Sequence, residues 1–241
     1  MPGNPYLSVI IPAHNEERRL PKAMAMLFEF LEQQSYPAEV ILVENGSQDR
    51  TLELAQGLRQ QYAGLIVLHE EQRGKGLAVQ KGMLKAKGDY RFMCDIDFSM
   101  PVSEINRFLP PLLENADIAI ASREAKGAQR FNEPPLRHTI GRVFNLLIRV
   151  LALPEYHDTQ CGFKCFTAHA AEMLFSRQTI RGWTFDVEIL FLARGLGLRV
   201  VEVPIPWYYN SESKIHVFRD SVQMALDLLR IRWRAWQGLY K

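Results

Sequence analysis

The chain has 241 residues, 47% hydrophobic and 23% charged, a composition that fits a globular core and excludes low-complexity and repeat architectures. Its three cysteines cannot close a fully paired disulfide framework, and Cys161 and Cys165 lack the partner pairs of a zinc site, so buried reduced thiols are expected. Net charge is +2, but residues 1–120 carry 12 Lys/Arg against 16 Asp/Glu and residues 121–241 carry 17 against 11. A basic second half suits a phosphate ligand, a nucleic acid or an anionic membrane surface.

The opening residues, "MPGNPYLSVIIPAHNEE", show neither a basic leader nor a long apolar core, so no signal peptide is expected. "LSVIIPA" (7–13) reads as a buried strand, and a helix follows from about Glu16 to Gln34. "EVILVEN" (39–45) predicts a second strand, and "SQDRTLELAQGLRQQY" a helix capped by Ser47 or Asp49. "LIVLHEE" (65–71) is a third strand, "GKGLAVQKGMLKAK" a loop and helix, "YRFMCDID" (90–97) a fourth strand, and "DIAIASR" (117–123) a fifth. Strands separated by amphipathic helices imply an α/β fold with a mostly parallel sheet flanked by helices.

The fourth strand ends on Asp95 and Asp97. Alternation would place both carboxylates on one face of its exposed end. Two such charges repel, so solvent, a cation or a hydrogen-bonding ligand must compensate them. Polar residues also follow the other strands: Asn15 and Glu16, Glu44 and Asn45, and Arg123. In parallel α/β sheets ligands bind beyond the carboxyl ends of the strands, so these strand ends look like one shared site.

The "RGKG" loop (73–76) lacks the Lys-Ser/Thr ending of a P-loop, and Val79 stands at the third glycine of a dinucleotide fingerprint. Its glycines suit a turn, while Lys75 at a helix N-terminus favours a nearby phosphate.

The stretches "SVIIPAHNEE", "VENGSQDRT", "RGKGLAVQKGM", "CDIDFSMP", "ASREAKG", "DTQCGFKCF" and "GWTFDVEILFLARGLGLRVVEVPIPW" follow one another over nearly all of Leu7 to Trp207. Together they resemble the family 2 glycosyltransferases, in their polyprenyl-phosphate sugar synthase branch. The resemblance implies a GT-A fold formed by residues 1–241 as one domain, a nucleotide-sugar donor, and Mg²⁺ or Mn²⁺. It implies that Pro12, Ala13, Asn15 and Glu16 line the nucleotide pocket, with Lys75, Asp95 and Ile96 also on the donor side. Glu44 and Asn45 stand where the family has two aspartates contacting base or ribose, a departure that leaves uracil or guanine open. Asp95 and Asp97 would hold the metal, a hard ion that bridges carboxylate and diphosphate oxygens.

The implied acceptor is a polyprenyl or dolichyl phosphate, already anionic, and Arg123 and Arg137 match the arginines that grip it. The segment from Arg123 to Arg149 carries six Lys/Arg and two Asp/Glu. Asp158 matches a carboxylate near the reacting sugar, as base, orienting group or sugar ligand. His157 reads as a packing or surface histidine. Asp186 and Trp183 would set a helix against the pocket, with Trp183 in the core. "DTQCGFK" and "GWTFDVE" resemble the glucosyl branch more than the mannosyl one. The expected reaction is therefore inverting hexose transfer, with glucose from UDP-glucose first and mannose from GDP-mannose second.

Phe218, Val222, Ala225, Leu229, Trp233, Trp236 and Tyr240 recur at three- and four-residue spacing, which predicts an amphipathic helix over about 217–240. Arg230, Arg232 and Arg234 lie among its tryptophans, so the helix, like "RVFNLLIRVLAL", suits either a membrane interface or packing on the domain. No run reaches the roughly 18 apolar residues of a membrane span, and a peripheral protein at the cytoplasmic membrane face is expected. The competing readings are a same-fold transferase with a soluble or polysaccharide acceptor and a non-catalytic nucleotide-sugar-binding protein. No nucleic-acid-binding module is recognised.

Overall fold

The computed structural model describes residues 4–111, 114–210 and 217–240. Strands β1 (Leu7–Ala13), β2 (Ala38–Asn45), β3 (Leu65–Glu70), β4 (Tyr90–Cys94), β5 (Ile118–Ser122), β7 (Phe163–Thr167) and β8 (Val200–Pro204) form one sheet in the order β3-β2-β1-β4-β7-β5-β8. Every pairing in it is parallel except those of β7, which runs antiparallel to β4 and β5. A second, two-stranded parallel sheet pairs β6 (Gln129–Phe131) with β9 (Pro206–Tyr208).

The sheet is buried on both faces because its strands are apolar on both. Along β1, Leu7, Val9, Ile11 and Ala13 enter one core and Ile10 the other. Burying one such aliphatic side chain contributes about 1.5–3 kcal/mol. The first core is covered by α1 (Leu20–Glu32), α2 (Thr51–Gln61) and a 3₁₀ helix (Val102–Phe108). The second is covered by α3 (Lys75–Lys85), α4 (Pro135–Leu151), α5 (Ala168–Phe175), α6 (Phe185–Gly195) and α7 (Val217–Trp236).

Three local expectations change. Helix α1 begins at Leu20, with a turn over Glu16–Arg19 before it. Helix α2 begins at Thr51 with Arg50 at its N-cap position and no side-chain cap; Asp49 Oδ1 instead accepts from Thr51 N at 3.0 Å, and its Oδ2 accepts from Glu17 N at 3.1 Å. Strand β4 stops at Cys94, so Asp95 and Asp97 lie in a turn in which Phe98 adopts φ 42° and donates its N–H to Asp95 O at 3.3 Å. The turn, rather than strand alternation, aims the two carboxylates.

Helix α7 turns most of the expected stripe outward. Met224, Leu228 and Ile231 are its buried face, whereas Val222, Leu229, Trp233 and Trp236 are exposed, Trp236 at 85%. The side chain of Phe218 lies outside the described residues. Helix α7 ends at Trp236, and Tyr240 beyond it turns inward to donate to Glu188 Oε1 at 2.6 Å. Helix α4 packs against α7 and exposes Ile140, Val143, Leu146 and Val150. Among the described residues no helix is long and apolar enough to cross a membrane.

Candidate active site

A cavity of about 850 Å³ opens at the carboxyl ends of the parallel strands. Reversal of β7 is what completes it. Because β7 runs antiparallel, the loop that enters it, Asp158–Gly162, reaches the edge where β4 and β5 finish. Of the expected site residues, Pro12, Glu16, Asn45, Lys75, Asp95, Ile96, Asp97, Arg123, Arg137 and Asp158 line this cavity. Segments from widely separated regions of the chain thus converge, as the strand-end pattern requires.

Ala13, Asn15 and Glu44 do not line it. Ala13 alternates with Pro12 and points into the core at 1% exposure. Asn15, at φ 54°, ties two loops together: its N–H donates to Ser47 Oγ at 2.9 Å, and its Oδ1 accepts from Gln48 N at 2.7 Å. Glu44 is 1% exposed and braces the end of β2, accepting from Ser47 N at 2.5 Å and meeting His69 Nδ1 at 2.5 Å. Its carboxylate is thus turned away from the cavity, where the resemblance implied a contact with base or ribose. His14 stands at the cavity instead, with Nδ1 2.8 Å from Asn45 O.

The acidic end holds Asp95 and Asp97. Burial, and then the neighbouring Asp95, raise the Asp97 carboxyl above its ordinary value, while Ser99 N donates to Oδ1 at 3.0 Å. Such a group is short of positive charge. Lys75 supplies some at Asp95, with Nζ 2.6 Å from Oδ1. Burial alone would lower the Lys75 ammonium, but Asp95, Asp186 and Asp97 hold it above the usual lysine value.

Asp95 is also pressed against the backbone, since a Cβ on Gly162 would lie 1.9 Å from its Oδ2. The glycines around Lys75 serve close approach, not a turn. A Cβ on Gly74 would lie 2.6 Å from Arg181 O, and one on Gly76 2.7 Å from Ile180 O.

These donors fit a hard divalent ion, because carboxylate oxygens are what such ions take. Among the described residues no group of three or more His, Cys, Asp and Glu could hold a metal. Asp95 and Asp97 would therefore need further oxygens from a bound phosphate or water to complete a coordination shell.

Elsewhere the cavity is lined by arginines and the carboxylates that pair with them. Arg123 is held by Asp158: its Nε donates to Oδ2 at 2.7 Å, its Nη2 to Oδ1 at 2.9 Å, and its backbone N to Oδ2 at 3.0 Å. Burial would raise Asp158, but the guanidinium across both oxygens holds it down to about 2. A carboxylate so held is not a base near neutral pH; it orients Arg123. Backbone N–H groups of His157 and Asp158 both donate to Glu202, which anchors that loop. His157 itself is on the surface, as expected.

Residues that sequence reading missed complete this end. Arg130 on β6 pairs in register with Trp207 on β9. Arg123 and Arg130 lie 5.4 and 5.7 Å from the Trp207 ring centroid, and Arg137 lies 5.1 Å from that of Tyr209. Arg130 also reaches Glu124 at 2.5 Å and Glu133 at 2.6 Å. Trp207 ends the last stretch of the resemblance, and alternation from it pointed to Tyr209. Trp183, expected in the core, lines the cavity, with Lys75 Nζ 5.3 Å from its ring centroid. Beyond the arginines, Ile140 and Phe144 of α4 and Ser221 and Met224 of α7 form a largely apolar wall. All three cysteines are buried and unpaired, as expected.

The family model for glycosyl transferase family 2 matches residues 8–175. A dolichyl-phosphate beta-glucosyltransferase of Dictyostelium discoideum is 35% identical over 99% of this chain and 77% of that protein. The dolichyl-phosphate beta-glucosyltransferase of Drosophila melanogaster is 36% identical over 98% of this chain and 77% of its own length. The solved structure of Mycobacterium tuberculosis glucosyl-3-phosphoglycerate synthase, in complex with Mn²⁺, UDP-glucose and phosphoglyceric acid, matches with a TM-score of 0.69. It is 18% identical and covers 94% of this chain and 79% of that one, a likeness in fold. With its sheet, cavity and sequence in agreement, the chain belongs to glycosyl transferase family 2 and has the GT-A fold.

Proposed function

We propose that this chain transfers glucose, with inversion, from UDP-glucose to a dolichyl or other polyprenyl phosphate. The observation that carries the reading is one cavity with three different walls: paired aspartates, clustered arginines, and an apolar face between α4 and α7. A nucleotide diphosphate with its metal, a phosphate and a hydrocarbon chain need such surroundings. Two relatives named for the same reaction, each about a third identical over nearly the whole chain, support it.

Asp95 and Asp97 would hold Mg²⁺ or Mn²⁺, which when bound offsets the charge that develops on the departing diphosphate. Pro12, Glu16, Asn45 and Ile96 would border the nucleotide, with His14 beside them, and Lys75 would face the diphosphate. Arg123 and Arg137, joined by Arg130, would hold the acceptor phosphate by charge-assisted hydrogen bonds. An acceptor oxygen attacks the sugar's anomeric carbon opposite the diphosphate; the carbon–oxygen bond breaks, and UDP leaves with the electron pair. An α-linked donor thereby gives a β-linked product. No proton has to be removed from a phosphate that is already ionised, which agrees with the low carboxyl of Asp158.

We further propose that residues 1–241 act as one catalytic domain, peripheral to the cytoplasmic face of a membrane. The exposed apolar residues of α4 and α7, set among Arg142, Arg149, Arg230 and Arg232, support membrane contact. A donor screen with a short polyprenyl phosphate, following release of UDP or GDP, tests the reaction. Turnover with UDP-glucose that disappears when the lipid phosphate is replaced by a soluble phosphate ester is expected. Turnover with GDP-mannose in its place, equal turnover with the soluble acceptor, or none with any donor would overturn it.

A further inference from the structure

Lys75 stands at the start of α3 on a closely packed backbone. The Gly74 and Gly76 contacts pack it onto the 180–182 loop, Leu77 N donates to Arg181 O at 3.1 Å, and the Gln178 amide donates to Gly76 O at 2.9 Å. The movable part is the four-carbon stem and its ammonium, which occupies Asp95 Oδ1 at 2.6 Å. Asp95 cannot back away, because Gly162 fills the space behind Oδ2.

A divalent ion at Asp95 would meet that ammonium on the same carboxylate, and two cations that close repel strongly in a partly buried site. The lysine must then move to another anion. Asp186, the next carboxylate, is already taken by the buried Lys164 at 2.6 Å. No other protein group in the described contacts of Lys75 offers a full negative charge besides Asp97, itself a candidate metal ligand. A diphosphate entering the cavity does.

Resting on the reading of Asp95 and Asp97 as the metal pair, we propose that Lys75 is an exchangeable counter-cation. In the empty site it neutralises Asp95; a divalent ion takes that oxygen when a nucleoside diphosphate arrives to receive the displaced ammonium. Metal and nucleotide then bind with a coupling that exceeds their shared ligation, and by linkage each raises the affinity of the other equally.

The test uses the whole protein and Mn²⁺, read by the paramagnetic resonance signal of the free ion, with and without UDP. Wild type should bind Mn²⁺ weakly alone and much more tightly with UDP. In Lys75→Gln, Mn²⁺ alone should bind about tenfold more tightly and UDP alone more weakly, so the ratio of the two Mn²⁺ affinities should shrink by about tenfold or more. Lys75→Met, which keeps the stem and drops the charge, must agree, with melting curves alongside. If Mn²⁺ affinity rises equally with and without UDP, or does not rise without it, the exchange is wrong while the metal pair stands. If wild type takes up no Mn²⁺ even with UDP, the metal assignment itself falls and the exchange with it.

Discussion

Arg123 and Asp158, 35 residues apart in sequence, form a part-buried ion pair in which three N–H groups of Arg123 converge on one carboxylate. The pair turns two candidate catalytic residues into one device. Asp158 sets the angle of the guanidinium, and the guanidinium keeps Asp158 ionised.

Breaking this pair should cost stability as well as acceptor use. Asp158→Asn leaves a part-buried guanidinium without its counter-charge, a loss of up to about 3–5 kcal/mol. The folded carboxyl, held down to about 2, lies below the unfolded value near 3.9. Its contribution is therefore complete above about pH 4 and is lost as pH falls towards 2. Denaturant melts at pH 7 and pH 2.5 should show a large difference between wild type and Asp158→Asn in the first and a much smaller one in the second. Equal differences at both would show that the pair does not act through charge.

Asp97→Asn should behave in the opposite way. The folded Asp97 carboxyl is raised, so its ionised form is a liability above the unfolded value near 3.9 and none below it. The variant should melt at or above the wild-type temperature at pH 7 while losing most sugar transfer. A fold weakened at pH 7 would contradict the electrostatics, and turnover near wild type would contradict the proposed metal role.

Gly162→Ala is predicted to imitate loss of Asp95. The added methyl would lie 1.9 Å from Asp95 Oδ2, so the carboxylate must leave its place. Transfer should fall at least about as far as in Asp95→Asn, and the double variant should add little, as expected of residues that act through one another. Gly141→Ala, at the same cavity but with nothing within 4 Å of its Cβ, should keep its fold stability. Independent, additive losses from Gly162→Ala and Asp95→Asn would refute the packing argument.

The two faces of α7 should separate folding from membrane contact. Trp233 and Trp236 are 56% and 85% exposed, so Trp233→Ser with Trp236→Ser should leave the melting temperature nearly unchanged and release the protein from anionic liposomes. Leu228→Ala, at 0% exposure on the other face, should cost about 2–5 kcal/mol. Sedimentation with liposomes beside thermal melts distinguishes them. A double tryptophan variant that unfolds while still sedimenting would reverse the assignment of the faces.

Much of this was legible before any coordinates. The five apolar runs of the first half are strands, four of them at nearly their predicted bounds and β4 ending three residues early, because a strand buried on both faces must be apolar throughout. Polar residues behind those runs could only collect at one edge, and ten of the expected site residues do line one cavity. Reading side chains beyond the strand ends was less secure. Glu44 occupies a position the family gives to a ligand-facing acid, yet its longer side chain is spent on Ser47 and His69. The helical stripe was correctly spaced, and structure was needed to choose between membrane interface and packing, since period alone does not say which of two apolar faces meets the core.

The sequence by itself determined five strands of the sheet, the family, and most of the residue types that line the cavity. Spacing along the chain and matching of short stretches are local properties, and they survive without a structure. Tertiary structure decided the pairings: Arg123 with Asp158, Lys75 with Asp95, Asp95 against Gly162, Arg130 beside Trp207. Those partners come from different elements, brought to one edge by the reversal of β7 and the return of β9. A charge takes its role from the groups within a few ångströms of it, and those neighbours exist once the chain has closed.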